Sequence, residues 1–528
     1  MLIPTRRLDN ANFWDSQPLA TQTPNGDESL YADLRASYSK GLPHTSLGEV
    51  VPASFNALVN AITTGNQADF NAIPLGSRAN GFGPRRGLVN PQNGLGIELI
   101  GPDPKHLAIP AAPTFASKEI AAEIAENYWM ALARDIHFAD YNEDHPIIKE
   151  AVADLDRFGA DFKGPKDASG RVTPQLLFRG TTLGEEKGPY MSQFLLQRCY
   201  LGPQEIDQRM RTVVSGKDYM VDLADWLSVQ HGFSQEPDVV DPDLRYIRNG
   251  RDLGQWVHVD LLYQAYFNAM LILLNGGARV DAGNPYRVGG PILNEDPFGT
   301  LGNPHLQALL PEVARHALRA VWYQKWSVHR RLRPEVFAAR LHLQKTGVKD
   351  YGIHAAVATD SSALDTVFAQ YGTYLLPMGF PEGSPVHPAY GAGHATVAGA
   401  CVTVLKAWFD VSQKITDLLD PGTRKRLAPV VPSSDGASLV PYQGLDKDDL
   451  TVGGELNKLA MNIGIGRNVA GVHWRSDHSA SITLGEQVAI GVIRDYIGTF
   501  NEPFDQLFLQ KFDGSFIKIT KDGEQPQP

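Results

Sequence analysis

The chain has 528 residues, of which 43% are hydrophobic, so it is long enough to bury a large core. Its formal net charge of −11 argues against a nucleic-acid partner, and any anion-binding pocket must therefore be local and buried. Because it has only two cysteines, Cys199 and Cys401, a disulfide framework and a four-thiolate metal site are excluded, and we expect both cysteines in the core.

The first part of the chain, residues 1–115, is rich in Gly, Pro and Asn and has weak periodicity. We expect it to form an extended arm packed on a helical body at 116–528, with the whole chain as one structural unit. No apolar signal-peptide segment follows the first residues. We therefore expect a soluble protein without a secretory signal, cytoplasmic by default.

Helical periodicity begins after Ser117, a favourable N-terminal cap, and the pattern predicts an all-α fold with minor β-hairpins. The apolar run from Leu261 contains Gln264 and Asn268, so we interpret it as a buried core helix rather than a membrane span. Near the C-terminus a hairpin is expected to turn at Asp513-Gly514. The predicted helices begin at Ser117 and Pro146 and span 256–274, 304–333, 394–409, 455–470 and 477–497, the last capped by Ser476 or Asp477.

The first motif that suggests chemistry is KWSVHRRLRPE, in which Arg333 follows Lys325 by eight positions. Eight positions are a little over two helical turns, so both side chains can serve one cavity. The planar guanidinium of arginine suits an oxyanion because two N–H groups can meet two oxygens. Alternatively, Lys325, Arg330, Arg331 and Arg333 only complement the negative end of a helix.

The second motif, HPAYGAGHATVAG, is a glycine-rich turn that leads into an apolar helix. Free backbone N–H groups at a helix start bind anions, and glycine lets the anion approach the backbone. Ala392, Gly393 and His394 would lie at the entrance of such a site. The alternative is that His394 only bonds to a backbone carbonyl at the helix start.

The third motif, GRNVAGVHWRSDH, contains Arg467 and His473. Six positions on one helix would turn the two side chains about 240° apart, but Gly471 offers a break that can bring them together. Asp477 follows His473 by four positions and can accept one ring N–H, which leaves the other nitrogen basic. Alternatively, Asp477 only caps a helix and the histidine is an unrelated surface residue.

Taken in this order, the three motifs resemble those of the vanadium-dependent haloperoxidases, most closely the red-algal bromoperoxidase type. The likeness extends from about residue 90 to the tail and includes LFRGTTLGEEKGPYMSQFLL and RDLGQWVHVDLLYQAYFNAMLILL. Looser forms of the same motifs occur in type-2 phosphatidic-acid phosphatases and bacterial acid phosphatases. The resemblance implies two four-helix bundles with an oxyanion site near the end of one of them.

The resemblance also implies a role for each motif residue. His473 would bond the vanadium of a vanadate cofactor, and Asp477 would orient His473. Lys325, Arg333 and Arg467 would neutralise the vanadate oxygens, while the backbone of Ala392-Gly393 would donate to another oxygen. His394 would be the acid and base for peroxide, and His387 would lie beside the halide.

This chain departs from the family pattern at two positions. Ala392 stands where relatives usually have serine, so a hydroxyl that would bond the oxyanion is missing. Trp322 stands where the red-algal type has an arginine in the halide pocket. An indole makes that pocket drier, and we hypothesise that it changes the halide preference and admits chloride.

The activity implied by the resemblance is the oxidation of halide, bromide before chloride or iodide, by hydrogen peroxide to hypohalous acid, which halogenates an organic acceptor. The family's algal members form homo-oligomers, so we expect a homo-oligomer here, from a dimer up to a dodecamer, without a nucleic-acid or membrane partner. One alternative is a phosphomonoesterase in which His473 is the nucleophile and His394 protonates the leaving group. A non-catalytic anion-binding protein is another.

Overall fold

Helices form most of the regular structure in residues 3–77, 85–234 and 236–526, the parts of the chain that the computed structural model describes. The α-helices in chain order are α1 (Ile3–Ser16), α2 (Asp27–Leu30), α3 (Pro52–Thr64), α4 (Gln67–Asn71), α5 (Lys118–Leu132), α6 (Pro146–Asp156), α7 (Leu223–Gln230), α8 (Gly250–Val259), α9 (Gln264–Asn275), α10 (Asn303–Tyr323), α11 (Pro334–Lys345), α12 (Ala355–Ala358), α13 (Ser362–Tyr371), α14 (Gly393–Trp408), α15 (Val452–Val469) and α16 (Arg475–Ile497).

Short antiparallel strands complete the fold. They are β1 (Cys199–Leu201) with β2 (Gln204–Ile206), β3 (Val430–Pro432) with β4 (Leu439–Pro441), and a sheet of β5 (Gln506–Gln510), β6 (Phe516–Thr520) and β7 (Gly523–Pro526). The predicted hairpin is β5–β6, in which Leu507 pairs with Ile519 and Gly514 has φ +87°. The prediction of a helical fold with minor hairpins is therefore confirmed.

The centre of the fold is a bundle in which α10, α14, α15 and α16 pack against one another. Nearly every residue of α14 is buried, as its apolar sequence requires. Glycines allow α14 and α16 to approach closely: a Cβ added to Gly399 would lie 2.1 Å from the carbonyl oxygen of Ile482. This close packing fixes the start of α14 relative to the start of α16.

Several predicted helix boundaries agree with the structure. The Ser117 hydroxyl accepts the N–H of Ile120 at the start of α5, and α6 begins at Pro146. The helices predicted at 394–409 and 455–470 are α14 and α15. Cys199 and Cys401 are buried and unpaired, as expected.

Three boundaries predicted from periodicity are wrong. The helix expected over 256–274 is two helices, α8 and α9, bent by 99° around Asp260. The helix expected over 304–333 ends earlier, because a π-helical turn at Gln324–His329 follows α10 and Arg330 has φ +37°. The N-cap position of α16 is Trp474, before the predicted start, although Asp477 does cap the helix through its side chain, which accepts the Trp474 N–H.

A membrane-spanning helix is not found within the described residues. No single helix there is both long and apolar enough to cross a bilayer. Only α8 and α9, taken together across their bend, meet the requirements of length and composition.

The described part of residues 1–115 packs on the rest of the chain. The Trp14 indole donates to Asp495 at 2.9 Å, and a buried ion pair of 2.8 Å joins Lys40 to Glu335. This region is not extended throughout, because it forms α1 and α3. Residues 1–2 and 78–84 of the predicted arm lie outside the described residues, and the division into arm and body stays a prediction.

Candidate active site

Lys325 lies in the π-helical turn after α10 and is fully buried. Its Nζ donates to the carbonyl oxygens of Pro388 and Ala389, at 2.8 and 3.1 Å, just before the glycine-rich turn. Burial, together with the nearby Arg333, holds the pKa of this ammonium well below its usual value. The first and second sequence motifs therefore meet at Lys325.

Arg333 reaches the same place, although not along one continuous helix with Lys325. The helical segment ends at Arg330, which has φ +37°, and Arg333 precedes α11 as its N-terminal cap residue. Its Nη1 donates to the carbonyl oxygen of Val472 at 2.6 Å and lies 3.1 Å from Nε2 of His473. Burial lowers the pKa of Arg333 to about 10.

Arg467 lies near the end of α15 and is also buried. Its Nη1 donates to the carbonyl oxygen of Val257 at 2.7 Å, while its Nε is buried without a hydrogen-bond partner among the described residues. Its guanidinium lies 5.4 Å from the ring centre of Phe380. Burial lowers the pKa of Arg467 to about 10.

These three cations share one property that predicts a ligand. Within the described residues, none of them forms an ion pair with a carboxylate, and their hydrogen bonds to backbone go to carbonyl oxygens. Buried charges are normally paired, since an unpaired charge loses its hydration without compensation. The nearby arginines also lower the pKa of Lys325, so the cations repel one another. A small oxyanion between them would remove both penalties.

His473 faces this group of cations in a defined tautomer. Its Nδ1 lies 2.7 Å from Oδ2 of Asp477, which also accepts the Trp474 N–H at 3.0 Å. Arginine can only donate, so the contact between Arg333 and Nε2 of His473 requires Nε2 to accept. The ring therefore carries its proton on Nδ1 and directs a lone pair from Nε2 towards the cations. Burial, with Arg333 and Lys325 nearby, holds the pKa of His473 well below its usual value.

The glycine-rich turn places His394 at the same site. α14 begins at Gly393, so its first N–H groups have no partner within the helix. The Ala392 N–H is occupied, because it donates to Ser481 Oγ on α16 at 2.7 Å. His394 Nε2 lies 3.0 Å from Oδ1 of Asp260. Burial lowers the pKa of His394, and Asp260 counteracts part of that effect.

His387 and Trp322 form a wall next to the cations. Their ring centres are 4.9 Å apart, and Lys325 Nζ lies 5.7 Å from the ring centre of Trp322. His387 Nδ1 accepts from Arg333 Nη2 at 2.9 Å. The Trp322 indole N–H donates to the carbonyl oxygen of Val89 at 3.0 Å, so the N-terminal region closes this side.

The structure brings together all the residues that the sequence motifs predicted, and it adds three. Asp260 contacts His394, Ser481 holds the turn at Ala392, and Arg331 contacts Asp477. Asp260 was missed because it lies 134 positions before its partner, although the polar pair His258 and Asp260 ahead of an apolar run was a visible signal. No local pattern marked Ser481.

Comparisons with known proteins find relatives that align with nearly the whole chain. Residues 305–502 match the family model described as the VCPO second helical-bundle domain. The chain is 36% identical to the vanadium-dependent bromoperoxidases of Corallina pilulifera (94% of each chain covered) and Corallina officinalis (97% of each). It is 35% identical to the vanadium-dependent bromoperoxidase of Ascophyllum nodosum, over 95% of this chain and 89% of that protein.

A solved structure is also similar to this fold. It is the homohexameric structure of the second vanadate-dependent bromoperoxidase from Ascophyllum nodosum, with a TM-score of 0.89 and 31% sequence identity. The match covers 98% of this chain and 89% of that one.

Proposed function

The chain belongs to the vanadium-dependent bromoperoxidase family, and from this premise we propose that it oxidises halide with hydrogen peroxide to hypohalous acid, bromide before chloride or iodide. The observation that carries the proposal is the buried group of Lys325, Arg333 and Arg467 without a carboxylate partner in the described structure, opposite Nε2 of His473. The family resemblance noted in the sequence motifs is confirmed by these comparisons.

Vanadate fits the residues that are present. Three cations match the charge of a tetrahedral oxyanion, and the Nε2 lone pair of His473 provides a ligand for its central atom. Gly393, at the start of α14, offers a backbone N–H to one oxygen. When bound, vanadate supplies Lewis-acid activation of hydrogen peroxide towards halide.

His394 is the residue best suited to move protons. Its Nε2 contacts the Asp260 carboxylate, and its Nδ1, which has no hydrogen bond to any described residue, can accept a proton from peroxide and return it later. Asp260 stabilises the imidazolium that forms in between. Since the side chain of His394 is 15% exposed while that of His473 is 2% exposed, His394 lies on the more accessible side of the site.

We assign halide selection to Trp322 and His387. The indole and the imidazole are in contact and lie beside Lys325, so a halide there would meet an aromatic wall and a buried cation. The red-algal motif pattern that this sequence resembles has arginine at the position of Trp322. We hypothesise that the tryptophan makes this pocket drier, changes the halide preference and admits chloride.

The direct test is dye halogenation by purified protein with peroxide and matched concentrations of bromide, chloride and iodide, with and without orthovanadate. Hydrolysis of p-nitrophenyl phosphate is measured beside it. Bromination that depends on vanadate supports the proposal. Phosphate-ester hydrolysis without any halogenation would instead favour the phosphomonoesterase, with His473 as nucleophile. Vanadate binding without turnover of either substrate would favour a non-catalytic anion-binding protein.

The protein is further proposed to be a homo-oligomer, because the similar structure from Ascophyllum nodosum is described as homohexameric. Light scattering coupled to size-exclusion chromatography gives the subunit number and separates a hexamer from a dimer or a dodecamer. A monomer at all concentrations would contradict this part of the proposal.

A further inference from the structure

A buried chain of charges continues from His473 into the protein beyond Asp477. Arg331 Nη1 donates to Oδ1 of Asp477 at 2.9 Å and lies 2.8 Å from Ser476 Oγ. Its Nη2 donates to Oε2 of Glu123 at 2.9 Å, and Glu123 Oε1 accepts the Ser476 N–H at 2.5 Å. The two oxygens of Asp477 therefore have different partners, with His473 on one and Arg331 on the other.

The side chain of Arg331 is held in one place. It is 2% exposed, and its guanidinium lies 4.8 Å from the ring centre of Trp474 and 5.7 Å from that of Tyr390. Asp477 is fully buried and Glu123 is 3% exposed. An arginine fixed between two buried carboxylates determines their orientation, because both ion pairs are shielded from solvent.

We propose that Arg331 is a positioning residue for the vanadate site, acting through Asp477 on the ring of His473. Fixing Oδ1 of Asp477 leaves Oδ2 to accept from Nδ1 of His473 and from the Trp474 N–H. Those two bonds set the rotation of the imidazole and the direction of its Nε2 lone pair. This inference rests on the proposed function, because it assigns the residue that aims the expected vanadate ligand.

The competing explanation is that Arg331 only joins the segment before α11 to α5 and α16. In that case its removal would lower stability without a specific effect on the oxyanion. The distinction can be made with the neighbouring Arg330. Its guanidinium also pairs with a carboxylate, Glu28, through contacts of 2.7 and 2.8 Å, but within the described residues it makes no contact with Asp477.

The experiment compares Arg331→Met with the matched control Arg330→Met. Orthovanadate dissociation constants are measured on the full chain by equilibrium dialysis with quantification of vanadium, alongside the melting temperature of the vanadate-free protein. We expect Arg331→Met to bind orthovanadate about 10–100-fold more weakly than the parent, as for other residues that orient a ligand. Arg330→Met should bind as the parent does.

A double-mutant cycle distinguishes action through Asp477 from a purely structural role of Arg331. Asp477→Asn should itself weaken orthovanadate binding. If Arg331 acts through Asp477, Arg331→Met should then cause no further loss in the Asp477→Asn background. A loss of the same size in both backgrounds would overturn the proposal, as would orthovanadate binding by Arg331→Met that equals the parent's.

Should Arg331→Met fail to fold, Arg331→Lys keeps the charge but lacks the planar fork in which Nη1 bonds Asp477 and Nη2 bonds Glu123. Weaker orthovanadate binding by Arg331→Lys supports the proposal, and unchanged binding overturns it. A parent that binds no orthovanadate would overturn the proposed function and this inference together. A parent that binds it, with both Arg331 variants unaffected, would overturn the inference alone.

Discussion

At the scale of single residues, Ala392 shows how the glycine-rich turn is kept in place without the serine hydroxyl of the family pattern. Its N–H donates to Ser481 Oγ, so α16 supports the turn from behind. A hydroxyl restored at this position would have the oxyanion as a partner. We predict that Ala392→Ser binds orthovanadate more tightly by about 1 kcal/mol, in equilibrium dialysis. Unchanged or weaker binding would mean that the side chain points away from the anion.

Trp322 leads to a prediction about halide choice. Trp322→Arg introduces a hydrated positive charge beside His387, and we expect the ratio of bromide to chloride turnover to rise. Trp322→Phe is the matched control, because it keeps an apolar ring and should keep the parent ratio. Turnover is measured with dye halogenation at equal halide concentrations. The hypothesis is wrong if the arginine variant and the parent give the same ratio.

Asp260 leads to a prediction about pH. The carboxylate raises the pKa of His394 against the lowering effect of burial. In Asp260→Asn that support is lost, so the pKa of His394 falls and the imidazole stays unprotonated to lower pH. We therefore expect the acidic limb of the kcat/KM profile to move to lower pH, with vanadate binding retained. A shift to higher pH, or none, would exclude His394 as the base of the reaction.

At the scale of helices and turns, the boundaries set by local chemistry were predictable. The Ser117 cap, the glycine-rich start of α14 and the break at Gly471, which has φ +83°, all follow from the preferences of single residues. The motifs also predicted which residues gather at the site, because each one places a cation or an imidazole at a helix end. The contact of Asp477 with His473 needed only their spacing of four.

The boundaries that depend on distant contacts were not predictable. The bend between α8 and α9 interrupts a segment of helical composition, and it places Asp260 against His394 on another helix. The early end of the helical segment that contains Lys325 is similar. It occurs at Arg330, which has φ +37°, and no glycine in the sequence marks the position. In both places tertiary contacts override the local pattern. A periodicity argument cannot include partners more than a hundred positions away.

The ion pair between Lys40 and Glu335 leads to a prediction at this scale. Both side chains are 1% exposed, and the pair joins the N-terminal region to the start of α11. Lys40→Met leaves a buried carboxylate without its cation, and we expect the free energy of unfolding to fall by about 3–5 kcal/mol. Thermal melting measures the loss. In the double variant Lys40→Met with Glu335→Gln, most of the lost free energy of unfolding should return. A double variant that is as unstable as Lys40→Met alone would contradict this explanation.

At the scale of the whole molecule, buried neutral histidines make the fold sensitive to acid. Burial lowers the pKa of His44, His329 and His478 to about 3 in each case. In the unfolded chain a histidine binds its proton near pH 6.5, so below that pH the unfolded state holds more protons than the folded state. Stability is therefore fully present above pH 6.5 and is lost as the pH falls towards 3.

Quantitatively, each such histidine should cost about 1.0 kcal/mol when the pH falls from 6.5 to 5.5, because the unfolded imidazole is only half protonated at pH 6.5. Denaturation at a series of pH values measures the slope. His44 offers a clean variant, because both of its ring nitrogens are buried from solvent. His44→Phe should reduce the slope below pH 6.5, and an unchanged slope would show that other groups control the acid response.

The contact between the Asn127 amide and the carbonyl oxygen of His473 has a consequence for how the protein is made. These residues are 346 positions apart, and His473 also comes 140 positions after Arg333, its partner at the site. A ribosome therefore releases Lys325 and Arg333 well before the imidazole that faces them, whereas Arg467 precedes His473 closely in the sequence. Until α16 has been synthesised, those two cations have no imidazole opposite them, and the proposed vanadate cofactor can bind His473 only afterwards.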